Sequence, residues 1–279
     1  MHCHYCDGKD TVENHVINAI RNNVKSLGFS CHCPVPFENG WSMEKKDIPK
    51  YLNEIDDTIE KYREQIQIYK SLEIDYIPGV ISPSDDWIRK LQLDYTIGSV
   101  HFVGAYENGR PWEIDSRHTV FLDGLGKIYH GDVKYVVSKY FQLIRQMVRE
   151  SCPDIIGHLD KIKMQNHGLW REDDPWYKHE VLATLEEIRS SGSIVEVNTR
   201  GTYKKLTLDP YPGPWILRNI VEMNIPIHIN SDAHTPSEII QNFNDAAELL
   251  TSLGFKKLKI LSDKKWSLQN FDKNGLQTA

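Results

Sequence analysis

No run of apolar residues in this 279-residue chain approaches the length of a membrane span, so no transmembrane segment is expected. Positive charge is not in excess either. Lysine and arginine number 33 against 39 aspartates and glutamates, a formal net charge of −6. That balance gives no long-range attraction to nucleic acid or to an anionic membrane, and neither is expected as a partner. Polar residues begin at His2, so no secretory signal is expected. Cysteine is scarce: of five, four fall in two tight pairs, Cys3 with Cys6 and Cys31 with Cys33. An odd number at such spacings is a poor disulfide framework and suits a reducing cytoplasm. No Pro/Gly/Ser-rich linker, low-complexity run or internal repeat divides the chain, so residues 1–279 read as one domain. The motifs of several phosphate-handling and hydrolytic families are also missing. There is no CxxxxxR loop, no GxSxG elbow and no P-loop lysine.

What is there is an alternation of strand-like and helix-like segments. Val12, Val16, Ile20, Val24 and Leu27 fall near helical spacing across 10–27. "GFSCHCP" reads as a strand, and "IPKYLNEIDDTIEKYREQIQIYK" has the spacing of one long amphipathic helix. "SLEIDYIPG" alternates, with Leu72, Ile74 and Tyr76 on one side and Glu73 and Asp75 on the other. Further strands are expected near 93–101 and in "DIIGHLD", "SIVEVN" and "IPIHINSD", with helices near 133–149, 178–190, 214–223 and 236–252. About seven strands, most followed by a helix, imply a parallel sheet or barrel of the α/β class. In a βα barrel the carboxyl ends of all strands meet on one face, where polar residues far apart in sequence converge.

Those ends are rich in metal-ligand types. The chain opens "MHCHYCDG"; if it is extended, His2 and His4 face together and Cys3 faces away. In "SCHCP" His32 likewise faces opposite to Cys31 and Cys33, which would pack as small apolar groups beneath the helices. A cysteine zinc knuckle is the rival reading, but the chain lacks a second CxxC spacing. His101, His158, Asp232 and His234 fall at other strand ends. "INSDAHTP" places Asp232 and His234 on one face after an apolar strand, and also reads as a turn leading to a helix cap. His15, His118, His130 and His179 read as surface or packed groups, and His167 is ambiguous. Imidazole with carboxylate suits zinc, iron and manganese alike.

"HCHYCDG", "FSCHCP", "LEIDY", "GSVHF", "GHLDKIK", "EVNTRG" and "NSDAH", in that order through nearly the whole chain, resemble the polymerase-and-histidinol-phosphatase (PHP) superfamily, and most the PHP-type histidinol-phosphatases. "DPYPGPWIL" is a weaker sign of the same subgroup. The resemblance implies a distorted (β/α)7 barrel with about three divalent ions (zinc, manganese or iron) at the carboxyl ends of its strands. It makes His2, His4, Glu73 and Asp232 ligands of one ion. Glu73 bridges to a second, held by His101 and His158; Asp7, His32 and His234 hold the third. Asp7 follows His4 more closely than in the family, and His15, on a helix face, is the alternative to it.

Clustered divalent ions suit phosphoester hydrolysis, in which they bind phosphoryl oxygens and activate water. The resemblance implies a small-molecule phosphate monoester as substrate, L-histidinol phosphate, in histidine biosynthesis. Glu73, Asp232 and His234 are the candidate catalytic residues, and Arg200 and Lys161 the candidate phosphate contacts. A PHP-type nuclease or phosphodiesterase should carry a basic path, which the net charge disfavours. A protein-tyrosine phosphatase of the same superfamily is a further alternative. A zinc-binding interaction module would hold metal through cysteines and hydrolyse nothing. The sequence leaves the oligomeric state open.

Overall fold

Apolar residues at three- and four-residue spacing build the outer layer, and short β-branched segments build the inner one. The computed structural model describes residues 1–277. In chain order the elements are α1 (Val12–Arg21), β1 (Ser26–His32), α2 (Ile48–Tyr62), β2 (Gln67–Asp75), α3 (Asp86–Arg89), β3 (Ile97–Ser99), β4 (Phe102–Ala105) and β5 (Pro111–Glu113). There follow α4 (His118–Tyr129), α5 (Val133–Ser151), β6 (Ile155–Ile156), α6 (Pro175–Ser191), β7 (Ile194–Asn198), α7 (Arg200–Tyr203), α8 (Pro214–Glu222), β8 (Ile227–Asn230), α9 (Phe243–Ser252), β9 (Lys257–Ser262), β10 (Lys265–Asp272) and β11 (Gly275–Leu276).

The main sheet has six parallel strands in the order β1-β2-β3-β6-β7-β8. The first residues of the chain join the edge strand β1 to the loop after the other edge strand, β8. Ser30 N–H donates to the Met1 carbonyl at 2.8 Å, the Met1 amine donates to Gly28 O at 3.1 Å, and His2 N–H donates to Ala233 O at 2.9 Å. Residues 1–3, which form no strand, thus link β1 to the segment just past β8, and the six strands curl into a distorted barrel. Cys3, Cys31 and Cys33 are fully buried among Val12, Val16, Tyr51 and Ile55, as the strand alternation predicts.

Several boundaries differ from the expectation. The helix begun at Ile48 stops at Tyr62, because Gln67–Lys70 enters the barrel in register with Ser26–Phe29. The long helix expected over 236–252 is a short 3-10 turn, Pro236–Glu238, and then α9, with Asn242 at φ 58° between them. The last part of the chain, where no further element is expected after the final helix, forms an antiparallel sheet, β9–β10–β11. It closes the amino-terminal end of the barrel, where Leu261 and Trp266 pack on Tyr95, Ile97, Ile155 and Ile194. At the other end the β4–β5 hairpin pairs Phe102 with Glu113 beside the strand termini.

Candidate metal centre

Each strand delivers its polar residue at or just past its carboxyl end. His32 closes β1, Glu73 lies near the end of β2, His101 follows β3, His158 follows β6, and Asp232 and His234 follow β8. His158 and Asp232 have left-handed backbones, at φ 21° and 50°. Such strain persists only where the surroundings hold it. Here the His158 N–H donates to Glu196 Oε2 at 2.6 Å, and the Asp232 N–H donates to Asn230 Oδ1 at 3.2 Å.

Three groups of ligand atoms result, each with its atoms within 4.8 Å of one another: His2, Asp7, His32 and His234; Glu73, His101 and His158; and His2, Glu73 and Asp232. Glu73 stands between them. Its Oε1 lies 3.0 Å from His158 Nε2 and 3.6 Å from His101 Nε2. Its Oε2 lies 3.3 Å from His2 Nε2 and 3.6 Å from His32 Nδ1. Asp232 Oδ1 lies 3.1 Å from His2 Nε2, and Asp7 Oδ1 lies 3.2 Å from His234 Nε2.

Burial favours neutral forms here, and neighbouring charge decides which groups stay ionised. Burial opposes charge on Glu73 and Asp232. His32 and His158 nevertheless hold Glu73 well below the usual carboxylate range, and Arg200 with His2 does the same for Asp232. Burial and the nearby His2 push His32 down to about 4. His101 goes the other way: burial is outweighed by Asp75 and Asp115, and it rises to about 10. Buried His32 Nδ1, His158 Nδ1 and Asp232 Oδ1 have no hydrogen-bond partner among the described residues. Converging lone pairs on buried imidazole and carboxylate groups are the donor set that divalent zinc, manganese or iron takes, so these residues fit a metal cluster.

The shell behind them was only partly visible in the sequence. Asp75 Oδ1 lies 2.9 Å from His101 Nδ1, which fixes that ring with Nε2 towards Glu73. Its signal was present, since Asp75 shares a strand face with Glu73. Glu196 and Asn198 form the rest: the Asn198 amide donates to Glu196 Oε2 at 3.0 Å and to Asp232 Oδ2 at 3.2 Å. Asp115, outside any strand, lies 3.9 Å from His101 Nε2 and 3.5 Å from Lys161 Nζ.

His4 is not brought to these groups. Residues 4–7 form a turn, with the Cys6 N–H donating to Cys3 O at 3.1 Å, so the two-residue strand rule does not apply across His2 and His4. The exposed His4 ring faces Glu54 at 3.5 Å. His15 is fully buried in α1, with Nδ1 2.9 Å from Thr11 O, and stands apart from the groups. His167 packs on His118, with ring centroids 3.9 Å apart. Lys161 is buried beside Asp115. Arg200 Nη1 lies 2.9 Å from the Asp232 carbonyl and 2.8 Å from His234 Nδ1. Both cations therefore border the cluster.

Residues 1–200 match the PHP domain family model. The chain is 29% identical over 238 residues to a Deinococcus radiodurans protein named "Probable histidinol-phosphatase", covering 85% of each. It is 24% identical over 254 residues to the histidinol-phosphatase of Bacillus subtilis, covering 86% of this chain and 93% of that one. In structure it resembles the histidinol phosphate phosphatase of Lactococcus lactis, solved with zinc, L-histidinol and phosphate. That match has a TM-score of 0.71 and 19% identity, and covers 96% of this chain and 97% of that one.

Proposed function

Because the chain belongs to the PHP domain family, we propose that it is a metal-dependent hydrolase of small phosphate monoesters, converting L-histidinol phosphate to L-histidinol and phosphate. Residues 1–279 act as one barrel domain in this reading. The relatives named for that activity align along most of their length and support the choice of substrate. One observation carries the chemistry: the two oxygens of Glu73 face two different sets of imidazoles.

In this proposal Glu73, His101 and His158 hold one cation, His2, Glu73 and Asp232 a second, and His2 or Asp7 with His32 and His234 a third. Bound divalent cations supply Lewis-acid stabilisation of phosphoryl oxygens and activation of water. The chain's own residues do the rest. Glu73, Asp232 and Asp7 balance the positive charge and keep the ligand rings in place. Asp75 holds His101 in the tautomer that turns Nε2 inward. Asn198 and Glu196 fix the Asp232 carboxylate. Lys161 is the buried point charge for a phosphoryl oxygen. Burial opposes its charge, but Asp115 and Asp232 keep it protonated. Arg200 adds planar donors at the His234 side.

The test is a panel of phosphoesters with metal-loaded protein: L-histidinol phosphate, a phosphotyrosine peptide and single-stranded DNA. Release of phosphate from the first, at a kcat/KM at least tenfold above the peptide and with no DNA cleavage, is the expected result. A preference for the peptide or the DNA would replace this substrate by the corresponding alternative.

A further inference from the structure

The segment after β1 folds back over the mouth of the barrel and brings Trp41 onto the ligand rings. Its indole meets His32 edge-on, with centroids 4.6 Å apart, and His101 with centroids 5.5 Å apart. It stacks parallel to Phe102 at 5.8 Å and 18°, and Phe37 stands edge-on to Phe102 at 5.2 Å. Trp41 is half-buried, so the ring still meets solvent. The indole N–H donates to Glu113 Oε1 at 2.5 Å, and Glu113 sits on β5 opposite Phe102.

Glu113 differs from the other carboxylates at this mouth. Asp75 has His101, and Asp115 has Lys161 and His101. Among the described residues Glu113 has no lysine, arginine or histidine nitrogen within ion-pair distance. Burial raises its carboxyl, and the charge of Asp115 raises it further. A half-buried carboxylate held by one neutral donor, at the edge of a half-exposed indole, is a corner built for a cation from outside.

We propose that Trp41 and Glu113 are specificity-determining residues that receive a positively charged nitrogen group, an ammonium or imidazolium, on the alcohol half of the phosphate monoester. The inference rests on the phosphatase reading above. The phosphoryl group lies at the metal cluster, and the cationic end reaches sideways past His101 to the corner. Monoesters of uncharged alcohols leave Glu113 with its indole partner alone. The corner thus selects among small phosphates by the charge of the leaving alcohol.

The experiment compares L-histidinol phosphate, whose alcohol half carries an ammonium group, with phenyl phosphate, whose alcohol half carries no charge, using metal-loaded wild type and Glu113→Gln. The expected result is a fall of at least tenfold in the ratio of kcat/KM for L-histidinol phosphate to that for phenyl phosphate, carried mainly by KM. Glu113→Asp, which keeps the charge, should recover part of the ratio. Calorimetric titration with L-histidinol in the presence of phosphate should give at least tenfold weaker binding to Glu113→Gln. Trp41→Leu should move the ratio and the binding in the same direction. Equal losses on both esters would mean that Glu113 merely holds the Trp41 loop, and no change would mean that it faces nothing; either overturns the proposal. If the wild type hydrolysed neither ester, the phosphatase reading would fall by itself, and the calorimetric comparison would still decide whether this corner binds a cation.

Discussion

At the scale of single residues, Glu73 is set apart because its two oxygens face two different sets of imidazoles. A carboxylate can serve two cations at once, whereas His32 offers one ring nitrogen to one. Glu73→Ala should therefore lose more bound metal than His32→Ala, and its turnover should be nearer zero. Glu73→Gln should be almost as damaging, since the amide keeps the shape and loses the charge. Metal analysis and turnover of the purified variants check this, with circular dichroism as the folding control; a folded Glu73→Ala with a full metal complement would refute the bridging role. Asp75→Asn removes the charge that orients His101, and a loss of about 10–100-fold in metal affinity or turnover is expected. Arg200→Lys should raise KM for phosphate esters, because a point charge does not reproduce planar donors. Wild-type constants in both Arg200→Lys and Arg200→Ala would return Arg200 to a structural role beside Asp232.

Among the elements, α4 and the β4–β5 hairpin set the position of the Trp41 corner. Trp112 on β5 is fully buried against Gly124 of α4. A Cβ at Gly124 would lie 2.1 Å from Trp112 Nε1. Helix propensity alone would make Gly124→Ala stabilising by about 1 kcal/mol. Overpacking against a rigid ring costs about 1–3 kcal/mol, so the steric effect should win and the variant should unfold at lower denaturant concentration. A higher midpoint would show that β5 yields easily. These elements were hard to see in the sequence for physical reasons. The glycines at 124 and 126 weaken the helical signal of α4, and strands of three or four residues carry no periodicity. Only one residue of β10 is buried, so its apolar pattern is faint. The parallel strands were legible because each short apolar segment ends in a polar residue at a site position. His4 shows the limit of that rule, which holds only along extended backbone. The ligand candidates were legible by residue type, and Asn198 as a polar strand end, but the orienting groups Glu196 and Asp115 were not. Nothing in their spacing separates them from ordinary polar residues.

For the whole molecule, folding gathers acidic and imidazole groups at one end of the barrel. His101, pushed up to about 10, carries a proton at neutral pH in the metal-free protein, whereas His32, near 4, carries none. Cation uptake must displace the His101 proton, so apparent metal affinity should rise with pH through the neutral range. Calorimetric zinc titrations in buffers of different ionisation enthalpy should give a net release of about one proton or more. No release would mean that His101 is neutral before metal arrives. The central claim is that this barrel works as a cluster of divalent ions on a small phosphate monoester. Its most direct test is phosphate release from L-histidinol phosphate while metal-free protein is titrated with zinc, manganese or iron(II). The account predicts no turnover without metal and a rise that saturates near three ions per chain. Full turnover in chelator-treated protein with no bound metal would contradict it.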